Sequence, residues 1–126
     1  MAKKILIVDD EPEMLILLTS RLEANNYDVI NAKDGDTCLK MVASEKPDLI
    51  VLDLMLPGIS GIEVCKRLKE DDTTKNIPII ILTAAGTQMK SIGLEKGAAY
   101  YLMKPFDADQ LLSKIKSALK VKAAKK

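Results

Sequence analysis

LIVLDLMLPGISGIEV, residues 49–64, runs a strand, a loop and the start of a helix together without a break. The opening LIVL offers no polar residue to either face, as expected of a strand covered on both sides. Asp53 follows at once, ahead of LMLPG, which is loop-like and needs no capping carboxylate. Ser60 and Glu63 then supply the S-x-x-E pattern of a capping box, opening a helix that continues to about Glu70. Working outward, three more apolar runs end at residues able to do chemistry. ILIV stops at Asp9 and Asp10, IIIL at Thr83 and YYLM at Lys104. In parallel neighbouring strands these ends would lie along one sheet edge, the place where open α/β folds bind ligands.

Segments of helical periodicity separate the runs, with Gly, Pro or Asn between them, which is the βαβ rhythm of a parallel sheet. Strands are expected near Ile5 to Val8, Val29 to Ala32, Leu49 to Leu52, Ile79 to Leu82 and Ala99 to Leu102. The first helix starts near Pro12, tolerated in a first turn because its missing N–H has no intrahelical partner there, and Asn25 and Asn26 end it. A second spans about Asp36 to Ser44. The fourth, Thr87 to Lys96, contains Gly93 and follows Gly86, and each glycine costs about 1 kcal/mol against Ala inside a helix. That segment is expected to be short, frayed or movable. The last helix, Asp109 to Lys120, buries Leu111, Leu112, Ile115 and Leu119 and turns lysines outward. In the first helix Met14, Leu17 and Leu18 fit a buried face, leaving Leu15 and Ile16 toward solvent.

The 126 residues suit one domain, read as residues 1–120 with a lysine-rich tail over 121–126. That tail ends a single-domain protein or begins a linker to an output domain. A net charge of +1, one Phe, three Tyr and no Trp argue against direct nucleic-acid binding. Cys38 and Cys65 stand apart in a chain without His, which disfavours a zinc or redox motif. The apolar run after MAKK ends too soon for a signal peptide or membrane span, so a cytoplasmic protein without a membrane segment is expected.

Taken singly, the strand-end residues have plain explanations. Asp9 and Asp10 could cap a helix, Asp53 and Lys104 could be solvated loop charges, and Thr83 suits a strand by its β-branching. Together they raise an electrostatic problem, because carboxylates a few ångströms apart repel by roughly 4 kcal/mol per pair at an effective dielectric of about 20. A hard divalent cation relieves it, and Mg²⁺ takes one or two carboxylates, keeps waters and pairs with phosphate. Lys104 would supply further positive charge to a phosphoryl group, and Thr83 a hydroxyl donor. A carboxylate nucleophile, a metal, a cation and a hydroxyl are the parts needed to move a phosphoryl group onto an aspartate.

ILIVDDEP, LIVLDLMLPGISGIEV, IIILTAA and YYLMKPF stand in an order that resembles the receiver domain of two-component response regulators, of the chemotaxis-regulator kind, over nearly the whole chain. The resemblance implies a flavodoxin-like doubly wound α/β fold, a five-stranded parallel sheet of order 2-1-3-4-5 with helices on both faces. It implies that Asp53 is the phosphoacceptor of a phosphorelay, that Asp9, Asp10, Asp53 and the backbone carbonyl of Met55 hold Mg²⁺, and that Lys104 pairs with Asp53 and then with the phosphoryl group. Thr83 and Tyr101 become the switch pair, and a cis peptide joins Lys104 to Pro105. Tyr101 is preferred to Tyr100 because it lies three residues before Lys104, on the opposite strand face from its neighbour. The donor would be a sensor histidine kinase, a histidine phosphotransfer protein or a small acyl phosphate. The recipient of the signal would be a downstream protein or a missing output domain. Such a domain is a signalling acceptor rather than an enzyme acting on a separate substrate, although it catalyses its own phosphorylation and slow dephosphorylation. The cognate kinase, the target and a homodimer on activation are left open.

The chain departs from the usual pattern around its output surface, where GAAYYL replaces the acidic GADDYL common in relatives. Met55 and Ala85, two residues after Asp53 and Thr83, offer no polar side chain to orient water, which implies slow loss of the phosphoryl group. Leu15 and Ile16 are candidates for docking a helical phosphodonor. Three rival functions fit less well. An aspartyl phosphatase would need D-x-D, and Met55 occupies the second position. A flavodoxin would need a Ser/Thr/Gly-rich loop where DDEPE stands, and an unphosphorylated interaction module leaves the full set of site residues unexplained.

Overall fold

The computed structural model describes residues 2–124. Five strands, β1 (Lys4–Val8), β2 (Asp28–Ala32), β3 (Leu49–Leu52), β4 (Ile79–Thr83) and β5 (Tyr100–Met103), form one parallel sheet in the order β2-β1-β3-β4-β5. The α-helices are α1 (Pro12–Glu23), α2 (Gly35–Glu45), α3 (Gly61–Glu70), α4 (Lys90–Glu95) and α5 (Ala108–Ala124), with a 3-10 turn (Thr87–Met89) leading into α4. This is the flavodoxin-like doubly wound fold. The order reverses between β1 and β3, and that reversal opens the crevice that holds the strand-end residues.

Strand side chains alternate between two cores. Ile5, Ile7, Val51, Ile80 and Leu82 pack with Leu15, Leu18 and Leu22 of α1 and Leu111 and Ile115 of α5. Leu6, Val8, Ile50, Leu52 and Ile81 pack on the other face with Val42 of α2 and Val64 and Leu68 of α3. Both faces of the central strands are dry, which is why their sequences show no period-two alternation. The β2 strand lies at the sheet edge with a single strand neighbour and is only partly buried.

Several sequence expectations shift. In α1, Leu15 is buried while Leu17 is 54% exposed and Ile16 70% exposed, so the outward pair is Ile16 and Leu17 rather than Leu15 and Ile16. MLILL is apolar throughout and does not fix a helical phase. Leu15, Leu18 and Leu22, spaced i, i+3 and i+7, win the sheet-facing positions. In α5 the deepest residues are Leu111, Ile115 and Ala118, with Leu112 and Leu119 at the margin. That helix passes Lys120 and continues to Ala124, whereas Lys125 and Lys126 of the lysine-rich segment lie outside the described residues. The capping box is half made. Ser60 Oγ accepts from Glu63 N at 3.2 Å, but the Glu63 carboxylate pairs with Arg67 one turn on. The α4 segment is short, as expected, with α-helix only over Lys90–Glu95 after the 3-10 turn, and β5 starts one residue later than expected.

Candidate functional site

Parallel pairing sets the site side by side before any side chain is considered. Val8 lies opposite Leu52, and Asp53 N donates to Val8 O at 3.0 Å, so Asp9 and Asp53 leave adjacent strands at one level. Thr83 ends β4, and Lys104 N donates to Thr83 O at 2.9 Å, which draws Lys104 to the same edge from β5.

Asp53 is buried with both carboxylate oxygens engaged. Oδ1 accepts from Thr83 Oγ1 at 2.8 Å and from Met55 N at 3.0 Å, while Oδ2 accepts from Lys104 Nζ at 3.1 Å. Asp9 is buried beside it. Its Oδ1 accepts from Glu11 N at 2.9 Å, closing a turn ahead of α1, and its Oδ2 accepts from Lys104 Nζ at 2.7 Å. The third partner of Lys104 is Glu11 Oε1, at 3.1 Å. Asp10 is exposed at the rim, with a carboxylate oxygen that lies together with one each from Asp9 and Asp53 inside 4.8 Å. The Met55 side chain points outward while its backbone stays at the pocket. The Lys104–Pro105 peptide is cis.

The charges are unbalanced. Lys104, whose side chain is 10% exposed, is the ammonium paired with Asp9, Glu11 and Asp53. Burial alone would lower its pKa, but the hydrogen bonds it donates to Asp9, Asp53 and Glu11 outweigh burial and hold it above the ordinary lysine value. Asp9 goes the other way for a carboxylate. Burial raises its pKa, and the Lys104 and Glu11 N–H contacts only partly offset that. Four acids around one cation leave excess negative charge in a pocket of hard oxygen donors, which fits a divalent cation such as Mg²⁺.

Tyr101 sits inward on the sheet face that α4 covers, and its hydroxyl donates to the Gly86 carbonyl. Tyr100 faces the other layer, where Lys114 Nζ lies 4.8 Å from its ring centre. Tyr101 pairs in register with Ile81, two residues before Thr83, so the tyrosine and the Asp53-bound hydroxyl share one pair of strands. Gly93 makes the room. A Cβ there would stand 2.7 Å from Ile81 Cδ1 and 3.4 Å from the Tyr101 ring. From sequence Gly93 reads only as a weakness in α4.

Glu11 and Gly61 also escaped the sequence reading. Glu11 adjoins Asp10 and could have been suspected from the unbroken DDE, but its contact with Lys104 depends on a fold spanning most of the chain. Gly61 opens α3, and its missing Cβ lets the backbone of Asp53 and Leu54 pass close by. Beside the Lys104–Pro105 loop, a cleft of about 370 Å³ between α1 and α5 is lined by Met14, Leu17, Leu18, Phe106 and Leu111 among others. No helix among the described residues is long and apolar enough to cross a membrane.

Residues 5–116 match the family model described as the response regulator receiver domain. Among curated proteins, the alkaline phosphatase synthesis transcriptional regulatory protein PhoP of Bacillus subtilis (strain 168) is 48% identical over 121 residues, which cover 95% of this chain and 50% of PhoP. The response regulator PleD of Caulobacter vibrioides is 42% identical over 123 residues, 97% of this chain and 27% of PleD. The chain therefore spans half or less of the length of these relatives. Among solved structures, a CheY-like response regulator receiver domain protein from Methanospirillum hungatei superposes with a TM-score of 0.93 at 29% identity, with all of both chains covered.

Proposed function

The chain belongs to the receiver-domain family of two-component response regulators, and from that premise we propose that Asp53 is its phosphoacceptor. One observation carries the reading. An ammonium and a hydroxyl are aimed at the two oxygens of one buried carboxylate, beside two further acids. A carboxylate oxygen of Asp53 attacks phosphorus, the P–N bond of a phosphohistidine breaks, and the electron pair leaves on the imidazole, yielding an aspartyl phosphate. Lys104 transfers its contact from Asp53 to the phosphoryl oxygens, where it balances charge in a water-poor pocket. Thr83 donates its hydroxyl to the same group. Asp9, Asp10, Asp53 and the Met55 carbonyl hold Mg²⁺, which when bound supplies positive charge to the transferring phosphoryl group.

The chain thus catalyses its own modification, as a cytoplasmic signalling domain loaded by a histidine kinase or a histidine phosphotransfer protein. Thr83 and Tyr101 pass the change to the face of α4 and β5, for a downstream protein or an output domain to read. Incubation with acetyl phosphate and Mg²⁺, followed by intact-mass measurement, should add one phosphoryl group to wild type and none to Asp53→Asn. Equal labelling of both, or no labelling by acetyl phosphate and candidate kinases alike, would overturn the assignment.

Two further expectations concern rates. Met55 is exposed and apolar, and Ala85 has only a methyl side chain, so neither orients water toward the phosphoryl group. Placing polar side chains there, as Met55→Asn with Ala85→Gln, should speed autodephosphorylation about tenfold in a phosphate-release assay. An unchanged rate would remove water positioning as the reason for persistence. We also assign kinase docking to Ile16 and Leu17, which stand exposed on α1, the helix that follows directly on Asp9, Asp10 and Glu11. Ile16→Glu should slow transfer from the cognate kinase about tenfold while acetyl phosphate labelling is unaffected. Equal transfer by both proteins would exclude this docking face.

A further inference from the structure

Lys104 Nζ donates to Asp9 Oδ2 at 2.7 Å, to Asp53 Oδ2 at 3.1 Å and to Glu11 Oε1 at 3.1 Å. An ammonium carries three protons, and these acceptors take all of them. Asp9 and Asp53 are buried and belong, with Asp10, to the cluster that suits a cation. Each oxygen of Asp9 already accepts a hydrogen bond, Oδ1 from Glu11 N at 2.9 Å and Oδ2 from Lys104. A divalent cation on this cluster therefore competes with Lys104 for the same carboxylates. Glu11 stands apart from that competition, with its side chain 63% exposed. It is the N-cap residue of α1, where a Ser, Thr, Asp or Asn side chain would accept from the first turn. The Glu11 carboxylate makes no capping bond and reaches Lys104 instead.

We propose that Glu11 is a positioning residue for the cation site, whose carboxylate takes over the Lys104 ammonium when Asp9 turns to a divalent cation and so sets how much Mg²⁺ the pocket needs. The inference rests on the reading of Asp9, Asp10 and Asp53 as the Mg²⁺ site. An ammonium released from a buried carboxylate, in a place with little water, needs another acceptor. Glu11 is already in contact and is the one partner of Lys104 outside the cation cluster. Without it the ammonium would concentrate on Asp9 and Asp53, the two groups that the cation also needs. Direct attraction between Glu11 and the cation adds little, because water and salt screen an exposed carboxylate. The effect of Glu11 therefore runs through Lys104.

Isothermal titration with MgCl2 tests this. Glu11→Gln should weaken Mg²⁺ binding about tenfold, the lower end of the range for partners of ligating groups. Glu11→Asp keeps the charge, withdraws it by one methylene and suits the N-cap better. It should lose Mg²⁺ affinity as Glu11→Gln does, while its melting temperature holds or rises. In a Lys104→Met background, Glu11→Gln should change Mg²⁺ affinity by less than about twofold, because the group it acts through is gone. Acetyl phosphate labelling of Glu11→Gln should need about tenfold more MgCl2 for its half-maximal rate and reach the wild-type rate at saturation. Equal Mg²⁺ affinity in wild type and Glu11→Gln would overturn the proposal. So would wild-type affinity in Glu11→Asp, or an equal loss in both backgrounds, since either would show a charge effect that bypasses Lys104. No Mg²⁺ binding by wild type would overturn the metal reading itself, and the role of Glu11 with it.

Discussion

Lys104→Met is expected to slow phosphoryl incorporation from acetyl phosphate by at least about 100-fold, the scale seen when a preorganised donor to developing charge is removed. It is also expected to destabilise the apo protein by about 2–4 kcal/mol. Breaking a buried ion pair by deleting one partner strands the other charge, and here the stranded groups are the buried carboxylates of Asp9 and Asp53. The lower part of that range reflects the open side of the pocket, where Asp10 and Glu11 face water. Adding MgCl2 should restore part of the lost stability, because a cation that binds only the folded state stabilises by mass action. The pH dependence follows from two shifts. Lys104 has its folded pKa raised above the ordinary 10.5, so its contribution is fully present below pH 10.5 and is lost as pH rises through the folded value. Asp9 is raised above 3.8, so its protonated form favours folding in acid, and that advantage is lost as pH rises through its folded pKa. The stability gap between wild type and Lys104→Met should therefore be widest in the neutral range. It should narrow above pH 10.5 and again in acid, as measured by urea midpoints with and without MgCl2. Equal midpoints at neutral pH would show that the carboxylates do not depend on this ammonium.

The parts of this site that could be read from sequence are those that one strand can encode by itself. Each of β1, β3 and β4 carries an unbroken apolar run of four residues, and the first polar residue after that run falls at the sheet edge whatever the neighbouring strands do. Asp9, Asp53 and Thr83 are legible in that way, whereas the choice of Tyr101 over Tyr100 rests on the family resemblance, which places the switch residue three before Lys104; the parity of β5 only puts the two tyrosines on opposite faces. Residues defined by what other elements bring near them were not legible. The outward face of α1 depends on how the helix rolls against the sheet, and MLILL is equally apolar at every roll. Glu11 gains its role only when Lys104, from the far end of the chain, reaches over it. Gly93 looks like a defect in a short helix until Ile81 and Tyr101 are packed beneath it. Helical periodicity also cannot distinguish a fraying end from a continuing one, and α5 accordingly runs beyond Lys120.

Gly61→Ala should destabilise the fold by about 2–3 kcal/mol, toward the upper end for overpacking, because nothing it meets can step aside. Gly61 N donates to Leu54 O at 3.1 Å, pinning the start of α3 against the loop after β3. A Cβ at Gly61 would overlap the Asp53 carbonyl oxygen and stand 2.5 Å from Leu54 Cα. Both are backbone atoms, and Leu54 is itself buried. Relief therefore requires moving the peptide that carries the Asp53 carboxylate, and the Met55 N–H bond that orients Oδ1 would lengthen with it. Labelling by acetyl phosphate should fall about tenfold together with the urea midpoint, since small displacements of a reacting group are costly in rate. Gly58, in the same loop, is the control. Its φ of +75° strains any L side chain, but a Cβ there meets nothing within 4 Å. Gly58→Ala should cost about 1 kcal/mol of backbone strain and leave the labelling rate unchanged. If Gly61→Ala matched Gly58→Ala in both measurements, the loop would have to be free to move. The carboxylate of Asp53 would then be positioned by Thr83 and Lys104 alone.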